Sequence, residues 1–121
     1  MSVTNDQKEA FKLRLKQFAL RTIKLFQALP KTGEAQIIGK QMLRSATSVA
    51  ANYRAACRAR SGNEFFSKLS IVVEEADETL FWLELLSEAE IIHSERLQPL
   101  INEATEILKI TSSSRKSAKQ Q

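Results

Sequence analysis

The chain has 121 residues and a net charge of +4, and 43% of it is hydrophobic. That is enough for one domain and too little for two comfortable cores. Three glycines, two prolines, one cysteine and one histidine exclude a glycine-rich phosphate loop, an internal disulfide and a zinc site built from Cys and His.

So few turn formers favour a small number of long helices. The positive balance tilts the choice of partner toward nucleic acid or another polyanion. A lone Cys57 agrees with a reducing, cytoplasmic setting. No run of about 18 uncharged apolar residues is present, so no membrane span is expected. The opening MSVTNDQKEAFK lacks the apolar centre of a secretion signal.

The first helix is capped by Thr4 or Asn5 and runs to about Leu29, where Pro30 and Gly33 close it. Phe11, Leu15, Phe18, Thr22, Leu25, Phe26 and Leu29 share one face at about 100° per residue. Leu13, Leu20 and Ile23 fall on the other side.

The second helix is expected from about Glu34 to Ala59, with Ala35, Met42, Ala46, Val49, Ala50, Tyr53 and Cys57 toward the core. Ser61 or Asn63 caps a third, from about Glu64 to Glu90, carrying Phe65, Leu69, Val72, Val73, Ala76, Leu80 and Leu83 on one side. A turn near Ile92 to Ser94 leads to a fourth, starting at Ser94 or near Gln98, with Leu97, Leu100, Ile101, Ala104 and Leu108 facing inward. Residues 1–111 thus read as one domain. The polar, basic stretch 112–121 reads as a disordered tail. Short links between long helices imply antiparallel neighbours, hence an all-α, up-and-down four-helix bundle.

The second helix poses the functional question. Lys40, Arg44, Thr47, Ala51, Arg54 and Arg58 follow one another in steps of four, three, four, three and four, opposite the Tyr53 stripe. Together with Arg60 they form a fixed row of cations that suits phosphates, because each contact releases counterions. Small residues among them allow a close backbone approach. The plainer reading is a solvated face whose arginines pair with acids of a neighbouring helix or subunit. The third helix supplies such acids at Glu74, Glu75, Asp77 and Glu78.

Glu74 and Glu78 lie four apart and could also hold a cation, but a di-iron bundle wants Glu-x-x-His pairs, and the one histidine, His93, falls at a turn. No metal, cofactor or catalytic residue is expected. Cys57 lies on the apolar stripe and reads as a small hydrophobe, not a nucleophile.

The third helix carries more apolar surface than a monomer needs. Ile71, Phe81, Trp82 and Leu85 lie away from its core stripe, as Leu13 and Leu20 do on the first helix. Self-association or a protein partner accounts for such excess, with Trp82 as the natural anchor.

Three stretches carry a family resemblance: RSATSVAANYRAACRARS from Arg44 to Ser61, EFF at 64–66, and EEADETLFWLELL from Glu74 to Leu86. They resemble the four-helix-bundle family of 23S rRNA intervening-sequence proteins, over about Phe18 to Ile110. The most specific positions are Arg44, Ser48, Ala51, Asn52, Arg60, Ser61, Phe65 and Glu78. Ala55 and Ala56 stand where many relatives carry an acid and a glycine. The resemblance implies an antiparallel bundle assembled as a ring-like homopentamer. In such a ring Asn52 and Glu78 would sit at helix contacts. It also implies kinship with the accessory protein of diversity-generating retroelements, thought to bind nucleic acid (RNA or DNA) and a reverse transcriptase through a basic surface. The family name reflects where some of its genes lie, inside insertions in 23S rRNA genes.

Overall fold

The computed structural model describes residues 4–120. Residues 1–3 of the expected domain and residue 121 of the expected tail lie outside them.

The described residues form four helices in order: α1 Asn5–Ala28, α2 Gly33–Cys57, α3 Gly62–Glu88 and α4 Ser94–Gln120. Their starts have local causes. Thr4 caps α1 through a reciprocal box: its hydroxyl accepts from the Gln7 N–H at 3.1 Å, and the Gln7 side chain accepts from the Thr4 N–H at 2.8 Å. Ser61 caps α3 by accepting from the Glu64 N–H at 3.1 Å. The last helix begins at Ser94 and continues through Pro99 in its second turn, where the ring forgoes one bond of the helical ladder.

α3 ends without glycine. Glu90 takes the left-handed conformation, φ 57°. The N–H of Ile91 reaches back to the Leu86 carbonyl at 3.1 Å and that of Glu90 to Ser87 at 3.0 Å. This is the Schellman closure, with a glutamate where glycine is the usual occupant.

Each helix packs on the next, α2 on α3 most extensively, and α1 touches α4 only lightly. The result is an up-and-down four-helix bundle with one thin seam. Leu15, Phe18, Met42, Leu69, Leu83, Leu86, Leu97 and Ile107 are buried at its centre. Burying each such side chain favours the fold by about 1.5–3 kcal/mol before entropy is counted.

Among the described residues the buried serine and threonine hydroxyls all find partners. Thr22 donates to the Ala19 carbonyl and Thr111 lies 2.9 Å from that of Ile107. Between α2 and α3, the Thr79 hydroxyl lies 2.9 Å from Ser45 Oγ and 2.7 Å from the Glu75 carbonyl. Gly39 lets α1 and α2 cross closely, since a Cβ there would run into the side chains of Leu29 and Phe26.

The structure differs from the sequence reading at its end. Residues 112–120, read as a disordered tail, continue α4. Arg115 supplies the reason. Its Nε donates to Ser70 Oγ at 2.7 Å and its guanidinium lies 4.7 Å over the Phe66 ring. An arginine thus does the packing that periodicity seeks only from apolar residues.

Candidate nucleic-acid interface

α2 presents its cations in two directions. Arg44 leans toward α3. Its Nη2 donates to Glu78 Oε1 at 2.7 Å, and its Nη1 lies 3.3 Å from Glu75 Oε2. Nη1 also donates a long hydrogen bond to Glu75 Oε1 at 3.5 Å, while the buried Oε2 accepts none from the described residues and is held by charge attraction. The bond to Glu78, then the charge of Glu75, raise the Arg44 pKa above its ordinary value.

Arg54 and Arg58 turn the other way, toward α1. With Lys12 and Lys16 they line an open cleft of about 510 Å³. Leu13, Thr47, Ala50 and Ala51 complete its walls, and Glu9 is its one acid among the described residues. Glu9 is taken by Lys12 at 2.7 Å. Among the described residues no carboxylate pairs with Arg54 or Arg58, and both are exposed. Lys12 and Lys16 are four apart on α1, as are Arg54 in the last turn of α2 and Arg58 at its C-cap. Four residues advance a helix by about 6 Å, so the cleft has two rails of regularly spaced charge.

The predicted row is therefore divided. Arg54 and Arg58 stay together with Thr47 and Ala51, Arg44 belongs with the acids of α3, and Lys40 is exposed nearer the start of α2. Arg60 is exposed on the α2–α3 turn. The α1 rail escaped the sequence reading. Its signal was the four-residue spacing of Lys8, Lys12 and Lys16, overshadowed by the apolar residues interleaved with it.

Leu13 and Leu20 on α1 are 56% and 53% exposed, and Phe81 on α3 is 51% exposed. Phe81 sets its ring edge-on to Trp82 at 4.9 Å. Trp82 Nε1 donates to Glu78 Oε1 at 3.4 Å, so Glu78 holds both Arg44 and the indole. Ile71 is exposed on the same helix and Leu85 is half-buried. Asn52 folds its amide back onto its own helix, donating to the Ser48 carbonyl and hydroxyl, both at 2.9 Å.

Tyr53 is buried and meets Phe11 edge-on at 4.9 Å. Burial raises its pKa and that of the neighbouring Cys57 thiol, which disfavours thiolate chemistry. No group of three or more His, Cys, Asp or Glu side chains among the described residues could hold a metal ion. None of the described helices is long and apolar enough to cross a membrane.

Fold and surface together define a class, the small antiparallel helical bundles with a cation-lined cleft along one helix pair. The chain belongs to the 23S rRNA-intervening sequence protein family, which it matches over residues 10–113. It is also similar to a crystallised Bacteroides thetaiotaomicron protein of unknown function from the S23 ribosomal protein family. The two are 38% identical, the match covers 90% of this chain and 97% of that one, and the TM-score is 0.83. None of the curated proteins compared matches the chain.

Proposed function

We propose that the chain is a non-enzymatic, self-associating accessory protein that binds nucleic acid, RNA or DNA, in the α1–α2 cleft. The observation that carries this reading is the pair of cationic rails, Lys12 with Lys16 and Arg54 with Arg58, around a floor of small residues. Lys12 is shared with Glu9, but Lys16, Arg54 and Arg58 have no carboxylate partner among the described residues and are free to take phosphate oxygens, and condensed counterions leave as they do. The floor offers little to read a base with, because the Thr47 hydroxyl is already committed to carbonyls of its own helix. Such a site recognises the phosphate backbone and not the sequence.

Anisotropy titrations of labelled RNA and DNA duplexes, at two salt concentrations, test the proposal. Binding should weaken steeply with salt and fall at least tenfold in Arg54→Glu/Arg58→Glu. No binding at low salt, or binding indifferent to that double reversal, refutes it.

A second reading is favoured by the other face. Arg44 is already held by Glu75 and Glu78, and beside it lie exposed Phe81 and half-buried Trp82. This side suits a protein contact, either with further copies in a ring such as the pentamer expected from the resemblance, or with a partner such as a reverse transcriptase. A bundle that associates but binds no nucleic acid at low salt would be an interaction module alone.

A further inference from the structure

α1 and α3 occupy opposite corners of the bundle. Both pack against α2 and α4, which lie between them. Only side chains reach across, as Lys8 does to the Phe65 ring at one end. The outer faces of α1 and α3 therefore look out from opposite sides of the molecule.

These two helices carry opposite charge. Over residues 10–28, α1 has Lys12, Arg14, Lys16, Arg21 and Lys24 and no acid. Over residues 69–88, α3 has Glu74, Glu75, Asp77, Glu78, Glu84 and Glu88 and no cation. Part of this charge is met within the chain, Arg14 by Glu103 and the pair Glu75 and Glu78 by Arg44. Lys16 and Lys24 on α1, and Glu74, Asp77 and Glu84 on α3, are exposed and enter no ion pair among the described residues.

Each face also exposes large apolar side chains between its charges. Leu13, Lys16, Leu20 and Lys24 follow one another along α1 in steps of three and four, all exposed. Ile71, Glu74, Asp77, Phe81 and Glu84 do the same along α3. Two α3 faces set against each other would oppose acid with acid and leave the α1 face bare. α3 set against α1 covers both apolar stripes and brings unlike charges together.

We infer that α3 of one copy docks on α1 of the next, a head-to-tail contact in which Ile71 and Phe81 cover Leu13 and Leu20 while the α3 acids meet Lys16 and Lys24. This rests on the self-association proposed above and names its two faces. Each copy then has two neighbours, one at each face.

Light scattering on the full chain tests this with one variant for each face. Leu20→Glu/Lys24→Glu alters α1 outside the residues that line the nucleic-acid cleft, and Ile71→Ser/Phe81→Ser alters α3. All four side chains are exposed, and circular-dichroism melting checks the fold. If a double variant disturbs it, the single replacement Lys24→Glu or Phe81→Ser stands in, with the same outcomes expected. Wild type should scatter as several chains and each variant alone as one chain. An equimolar mixture of the two variants should scatter as two chains, because one matched pair of faces survives in it. Either variant still assembling alone, or a mixture of any other mass, would overturn the pairing of α3 with α1. A wild type of one chain would remove the self-association reading itself.

Discussion

Arg14 and Glu103 join the first helix to the last through two parallel hydrogen bonds. Arg14 Nε donates to Glu103 Oε2 and Nη2 to Oε1, both at 2.8 Å. The pair spans the seam where α1 and α4 otherwise touch least. Its fork geometry is the strong form of such a contact, although partial exposure to solvent screens it.

The pair should therefore show measurable coupling. A double-mutant cycle with Arg14→Ala and Glu103→Gln, followed by urea unfolding, should give about 1 kcal/mol. Additive losses would show that the two bonds contribute nothing as a pair.

The same pair sets a pH dependence. The bond from Arg14 holds the Glu103 carboxyl below its ordinary pKa. A depressed folded value means that the unfolded chain binds the proton first. The stabilisation is thus complete above the usual glutamate value of about 4.3 and lost as pH falls through the lower folded value. Wild type should lose its stability advantage over Glu103→Gln across that acid range. An advantage unchanged between neutral pH and pH 3 would contradict the assignment.

Glu90 holds a backbone conformation that suits glycine, and it places an acid at the negative end of α3. Glu90→Gly should stabilise the protein by about 1 kcal/mol and raise its melting temperature. An unchanged or lower midpoint would mean that the residue carries no strain there.

Gly39 predicts the opposite sign. Alanine is worth about 1 kcal/mol more than glycine in a helix interior. Here its methyl group would displace Leu29 and press on Phe26, whose Cδ1 would lie 3.0 Å away. Overpacking costs about 1–3 kcal/mol, so Gly39→Ala should lower stability on balance. A rise in the denaturation midpoint would show that the two side chains give way freely.

Trp82 tests association. Glu78 restrains its indole beside the exposed Phe81 ring. If α3 contacts other copies, Trp82→Ala should lower the mass found by light scattering at fixed concentration. A wild-type mass of one chain would rule out self-association.

The helices and their inward faces were legible because apolar spacing reports directly on burial. Leu15, Phe18, Met42, Leu69 and Leu83 were all placed toward the core and are buried. Spacing fixes a direction only relative to a residue's own helix. It put Arg44, Arg54 and Arg58 in one row, and could not say that α3 would draw off the first while α1 faced the others. Lys12 and Lys16 join the site only once α1 lies beside α2. The helical end of α4 was illegible for a related reason, since Arg115 seats itself through its guanidinium.

The thin seam between α1 and α4 also shapes how the molecule comes apart. With one well-packed neighbour, α1 is the segment best able to peel away while α2, α3 and α4 stay together. Its departure would carry off Lys12 and Lys16, half of the cleft's charge. A strand lying in that cleft would act as a splint, so amide exchange along α1 should slow on binding while exchange in the centre of α3 stays as it was.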